Sequence, residues 1–166
     1  MVSLTPCAFC GIVFVPYRAG ARFCSDKCRV YWNRRAKFPR VMTDRDTWVR
    51  ADGKRPIRLN GSAASSTDAA TWHPYSEVRR STAGDGFGFM LGGGIGCYDL
   101  DGVTDADARD FISEVAEPVL FTERSVSGRG FHVFIEAAEG KGWKRGQVER
   151  YTRARFIRVT GEWFRS

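Results

Sequence analysis

Two aspartates one residue apart, Asp99-Leu100-Asp101, close an apolar stretch. If that stretch is a strand, its period of two turns both carboxylates to one face, roughly 6–7 Å apart at Cβ. Carboxylates so placed can grip one hard cation, or two cations about 3.5–4 Å apart. The same tripeptide also arises by chance in turns. A second group, Ser127-Gly128-Arg129-Gly130-Phe131-His132, is a glycine turn that runs into a strand. Phe131, Val133 and Ile135 would face the core and His132 the other side. Backbone N–H groups, a hydroxyl, a guanidinium and an imidazole would form a triphosphate cradle. A hairpin turn with a surface histidine is the plainer reading. Glu149 is the lone acid of residues 141–158, which hold seven Lys/Arg. It reads as a salt-bridge partner or as a third metal ligand.

Four of the five cysteines, Cys7, Cys10, Cys24 and Cys28, follow the pattern C-x2-C-x13-C-x3-C. Two short chelating pairs separated by a loop can close a tetrahedron of thiolates around zinc. Two disulfides would need an oxidising compartment, and nothing here signals export, so zinc is favoured. Gly11 suits a tight knuckle, Ser25 an N-cap and Asp26 a first helical turn. An amphipathic run over 28–37 follows, with Pro39 as its stop. Knuckle, hairpin and helix together resemble a treble-clef or ribbon-type zinc module. A segment this short builds no core of its own, so the metal would supply much of its folding free energy. Arg29, Arg34, Arg35 and Lys37 on the helix, with Tyr31 and Trp32 among them, suit phosphate contact and base stacking. Equally, Tyr31 and Trp32 could pack against the main domain. Cys97 is read as a small buried hydrophobe.

The elements that must position these groups are mostly strands. Residues 41–53 read as extended up to the turn Asp52-Gly53, with a strand over 54–60 and a loop over 61–68. Asp68 caps a helix expected over 69–80, with Trp72, Tyr75 and Val78 on one face. Strands over 87–91 and 95–101, joined by Gly92–Gly94, read as a hairpin. Thr104 caps a helix reaching about 115, before Pro118. Strands over 119–123, 131–136, 148–152 and 155–160 complete the set. The class is α+β with a mostly antiparallel sheet. Two domains are expected, a zinc module over 1–40 and a larger domain over 41–166.

Charge and composition bound the function. The chain has 166 residues and a net charge of +7. Residues 1–40 hold eight Lys/Arg against Asp26 alone, and the remainder is neutral. A basic segment on a neutral body suits a polyanion such as nucleic acid. No apolar run approaches the ~18 residues of a membrane span. The glycines of residues 84–96 separate two strands instead of opening a helix, so they are no dinucleotide fingerprint, and no P-loop motif occurs.

Taken in order, GFGFMLGGGIGCYDLDG, FTERSVSGRGFHVF and VERYTRARFIRVTG resemble the archaeo-eukaryotic primase superfamily, specifically the bifunctional primase–polymerase N-terminal domain of phage and plasmid replication proteins. The likeness spans residues 45–164, and Lys54-Arg55-Pro56 and Thr71-Trp72-His73-Pro74-Tyr75 resemble the group less diagnostically. It implies an RRM-like sheet joined to a smaller αβ unit, with the active site between them. It assigns Asp99 and Asp101 to the metal-binding acid pair and Glu149 to the third acid. His132 would meet the phosphates of the incoming nucleotide, with Ser127, Gly128 and Arg129 beside it. Arg155 would touch phosphate or template, and Lys54 the nucleotide. The implied activity is template-dependent nucleotidyl transfer with Mg²⁺ or Mn²⁺, taking NTPs or dNTPs on single-stranded DNA. A helicase or a helical primase domain is an implied partner, and the host cytoplasm the implied compartment. The alternative is a non-catalytic, zinc-containing DNA-binding module on the same fold. A metal-dependent nuclease is a third reading.

Overall fold

The computed structural model describes residues 4–34 and 37–165. The chain divides into two compact units, Met1–Lys37 and Phe38–Ser166. Residues 38–40, expected with the first unit, fall in the second: Phe38 is buried in the larger core, where its ring meets Trp48, Tyr75, Phe87 and Phe121.

In the smaller unit, β1 (Thr5–Pro6) and β2 (Val13–Phe14) form an antiparallel hairpin. Its knuckle closes through Cys7 N–H to Ile12 O and Gly11 N–H to Cys7 O, both 2.9 Å, with Gly11 at φ +74°. The helix α1 (Asp26–Arg34) starts as expected: the Ser25 hydroxyl accepts from Cys28 N–H at 3.2 Å, and Asp26 stands in the first turn. Tyr31 stacks on Phe9 and Trp32 tilts against Phe23, all within this unit. Among its described residues, Cys7 and Ala21 alone are buried. Apolar burial of that extent cannot hold a fold.

The larger unit is built on two antiparallel sheets. β3 (Trp48–Asp52), β4 (Arg55–Ile57), β5 (Gly86–Met90) and β11 (Phe156–Val159) form one, in the order β11-β5-β3-β4. β6 (Ile95–Asp101), β7 (Val119–Arg124), β8 (Gly130–Glu136), β9 (Trp143–Arg145) and β10 (Val148–Tyr151) form the other, in the order β7-β8-β6-β10-β9. The class is therefore α+β with mostly antiparallel sheets. Trp48, Phe89, Ile157 and Val159 from the first sheet share one core with Cys97, Phe121 and Phe134 from the second. The opposite face of the five-stranded sheet, with Tyr98, Leu100, Phe131 and Val133, is covered by α4 (Asp105–Glu114) through Ala108, Phe111 and Ile112. Thr104 caps α4 in a capping box with Asp107, as its spacing predicts.

Four expectations about the elements are corrected. The helix over 69–80 is two pieces, a 3-10 turn (Ala69–Thr71) and α3 (Tyr75–Val78). Pro74 has no N–H and bars α geometry at His73, which pairs with Trp48 in a bridge instead. Asp68 still caps the first piece through Ala70 N–H. The hairpin over 87–101 is closed only at its tip. Gly92 and Ile95 exchange hydrogen bonds of 3.2 Å, and then β5 and β6 enter different sheets. Three successive glycines with positive φ, Gly92–Gly94, let the chain make that change. The short strand β9 follows Gly140-Lys141-Gly142 and is missing from the expected strands; it exists because β10 offers its edge. A helix α2 (Arg40–Thr43) also opens the segment expected to be extended.

Candidate active site and four-cysteine cluster

The register of the five-stranded sheet aligns one residue from each strand. Glu123 of β7 lies opposite His132 of β8, His132 opposite Asp99 of β6, Asp99 opposite Glu149 of β10, and Glu149 opposite Lys144 of β9. Cross-strand partners in an antiparallel pair project from the same face. The row thus runs across all five strands on the face that also carries Cys97, Phe121 and Phe134. The sequence placed Asp99, His132 and Glu149 in three separate motifs; pairing makes them neighbours.

His132 is buried, so the surface-histidine reading is corrected. The strand is covered on both faces, and its second face looks into the inter-sheet core. Its Nδ1 lies 2.8 Å from Glu123 Oε1 and its Nε2 3.7 Å from Asp99 Oδ1. Burial works against a charged ring, but the Glu123 hydrogen bond and the charges of Glu123, Asp99 and Asp101 outweigh it and raise the His132 pKa. Glu123 was not expected as a site residue. It is wholly buried, and its Oε2 accepts from Thr160 N–H at 3.0 Å, Gly161 N–H at 2.7 Å and the Thr160 hydroxyl at 3.2 Å. The signal was present: Phe121 and Glu123 share a strand face, so an acid stands where a core residue belongs.

Burial raises the Asp99 pKa; Asp101 and Glu149 add to the effect, while His132 and Arg155 oppose it. Asp101 stands exposed at the end of β6, on the face of Asp99. The Glu149 carboxylate is held low by Lys144 and by the Tyr151 hydroxyl, which donates at 2.7 Å. Arg155 Nη2 lies 3.7 Å from Glu149 and the guanidinium covers the Tyr151 ring. The structure therefore brings Asp99, His132, Glu149 and Arg155 together, with Asp101 one pleat away.

The Ser127-Gly128-Arg129 turn abuts the same end of β6. Arg129 O accepts from Gly102 N–H at 2.9 Å, and the Ser127 hydroxyl accepts from Arg129 N–H at 3.3 Å. Gly128 takes φ +73°. Gly130 is required by contact: a Cβ there would collide with the Leu100 carbonyl. Lys54 is exposed in the β3–β4 turn, and among the described residues no contact ties it to the row. Cys97 is fully buried as expected, and burial pushes its thiol well up.

In the smaller unit, the sulfurs of Cys7, Cys10, Cys24 and Cys28 all lie within 4.8 Å of one another. Cys10–Cys24 and Cys24–Cys28 are each 3.6 Å apart, and all five cysteines are free. A disulfide needs about 2.05 Å. Thiolates about 2.3 Å from a central ion stand about 3.8 Å apart, so the set has the dimensions of a four-thiolate metal site. Burial raises the Cys7 thiol, but hydrogen bonds from the backbone at Cys10, Cys24 and Phe9 outweigh it and bring it down to about 6. Cys24, facing the Cys10 and Cys28 sulfurs, is pushed up to about 12. Among the described residues this is the one such group. The acids of the sheet do not converge to that distance, and Glu149 is engaged by its cationic neighbours.

Of the predicted nucleic-acid contacts, Arg29 pairs with Asp26 at 3.1 Å and Lys37 is exposed. Arg35 and the side chain of Arg34 lie outside the described residues. Lys27 Nζ lies over the Tyr31 ring, and Arg22 over Phe23 and Trp32. Among the described residues, no helix is long and apolar enough to cross a membrane. No protein-family model matches the chain, and no curated protein matches it.

Proposed function

We propose that the chain is a template-dependent nucleotidyltransferase of the primase–polymerase type, acting on single-stranded DNA with NTPs or dNTPs. The observation that carries this reading is the cross-strand row Glu123–His132–Asp99–Glu149, with Asp101 and the Ser127–Arg129 turn at its open end. Asp99 and Asp101 are the residues that would hold Mg²⁺ or Mn²⁺, with Glu149 across the strand from Asp99. Their fit rests on the donor set: hard carboxylate oxygens on one face, one of them short of water, as a hard cation requires. A bound cation pair would lower the pKa of a 3′-hydroxyl and steady the pyrophosphate leaving group.

The chain's own groups do the rest. Glu123 fixes the His132 ring through Nδ1 and favours its charged form, so Nε2 presents a proton toward a phosphate oxygen. The glycine turn and Arg129 offer donors to the rest of the triphosphate. Arg155 and Lys144 bind Glu149 now and would move to phosphate when the acid turns to a cation. The fold would be the primase one, with the four cysteines holding structural zinc. Phage or plasmid replication in a host cytoplasm, with a separate helicase or helical domain as partner, follows from the same reading.

The test is nucleotide incorporation on single-stranded DNA, with and without a primer. Asp99→Ala and Asp101→Ala are each expected to lower metal-dependent synthesis at least about 100-fold, with DNA binding retained. Unchanged synthesis overturns the assignment. One observation favours a second reading, a non-catalytic DNA-binding module: Lys144 and Arg155 neutralise Glu149. Tight single-strand binding without product in any metal would select it.

A further inference from the structure

A cavity of about 400 Å³ opens at the other end of β6 from the acid pair. β6 spans seven residues, so the two places lie roughly 20 Å apart along the strand. The cavity is enclosed by the Gly92-Gly93 turn, the loop between β10 and β11, and the segment around Thr67. Two cations face it. Arg45 is fixed, its Nη1 donating to Gly93 O at 2.7 Å and its Nε to Val41 O at 3.3 Å. Arg153 has no ion-pair partner among the described residues. Thr47 lines the same space, although its hydroxyl is buried out of reach of solvent. Trp72 forms a wall, its ring fixed by an N–H bond of 2.6 Å to Ser65 O. Glu139 adds an acceptor, itself taking Gly93 N–H at 2.9 Å. Ala154 on the rim holds φ +51°, the one non-glycine residue with positive φ among those described.

Two guanidiniums, one of them without an ion-pair partner among the described residues, a fixed indole and a carboxylate around one space of small-ligand size form a binding site in want of its ligand. The cations call for an anion, the indole for a flat ring, the carboxylate for a hydroxyl or exocyclic amine. A nucleotide carries all three. We propose that this cavity is a second nucleotide site, separate from the acid row, with phosphate at Arg153 and Arg45 and the base against Trp72. The ligand is either a free mononucleotide or one unit of a DNA strand.

Equilibrium binding of labelled adenosine monophosphate and of a short single-stranded oligonucleotide distinguishes these sources. It is measured on the full chain and on Arg153→Ala, Trp72→Leu and Asp99→Asn. Arg153→Ala is expected to weaken binding about tenfold or more, as loss of one charge-assisted phosphate contact does. Trp72→Leu is expected to weaken it several-fold, since it removes the ring against which the base would lie. Asp99→Asn is expected to keep the component of binding that Arg153→Ala removes. Monophosphate binding that Arg153→Ala weakens assigns the site to free nucleotide; oligonucleotide binding that it weakens, with no monophosphate bound, assigns it to a strand. Absence of binding by both probes, parental affinity in both cavity variants, or equal competition by inorganic phosphate overturns the proposal. The readout is binding, so a failure of the catalytic reading leaves this outcome intact.

Discussion

Glu123 accepts hydrogen bonds from His132, from two backbone N–H groups and from a hydroxyl while wholly out of water. A buried carboxylate is tolerated only when its lone pairs are met in this way. Its removal strands several donors at once. Glu123→Ala is therefore expected to cost about 3–5 kcal/mol of unfolding free energy in urea titration. Glu123→Gln keeps one acceptor oxygen and sets an amide N–H₂ against a donor, for about 1–3 kcal/mol. Equal stability of the two variants would show that the bonds to Glu123 contribute little. The same residue fixes which His132 nitrogen faces Asp99, so under the proposed nucleotidyl transfer a fold-neutral change at Glu123 should still lower incorporation.

Strand contact is what joins separate motifs, and Gly130 tests that at the level of the element. Any side chain there meets the Leu100 carbonyl across the β6–β8 ladder and approaches Asp101. Gly130→Ala is expected to cost about 1–3 kcal/mol and to displace the Ser127–Arg129 turn; thermal melting and nucleotide affinity read the two effects. On the other face, Glu117 ties β6 to β10, accepting from Tyr98 and from Arg150 at 2.9 Å. Burial raises the Glu117 pKa, but the Arg150 and backbone hydrogen bonds outweigh it and hold the group below its usual value. Its contribution is thus present above the unfolded carboxylate pKa of about 4.3 and is lost as pH falls through the lower folded value. Urea midpoints taken from about pH 6 to pH 3 should fall less steeply in Glu117→Gln than in the parent; parallel curves would remove the claim. Most strands, the Thr104 cap and the Ser25 cap were legible in sequence because they follow period and capping chemistry. The row was legible only as fragments. Register is a long-range property, and it alone sets His132 beside Asp99 and Asp99 beside Glu149. The break at Pro74 and the sheet change at Gly92–Gly94 were misread because local patterns continue across them. Strand β9 went unseen because three residues carry no period.

The two units are held by different means, and this governs how the whole molecule comes apart. Residues 38–166 bury an aromatic core from two sheets and should unfold cooperatively. The smaller unit buries Cys7 and Ala21 alone among its described residues, with four sulfurs inside 4.8 Å. Without an ion, thiolates this close repel, and little apolar burial opposes them. Metal binding is then folding free energy for that unit, on the order of 10 kcal/mol in isolated zinc modules. The purified chain is expected to carry one zinc per molecule. A chelator or Cys24→Ser should release it and expose the smaller unit to proteolysis. The melting transition of the larger unit should persist. Since the net positive charge resides in residues 1–40, under the proposed single-strand binding the released form should also lose the salt-sensitive part of that affinity. A zinc-free chain whose smaller unit resists protease would refute the metal assignment. Loss of both transitions together would show that the ion supports the larger unit as well.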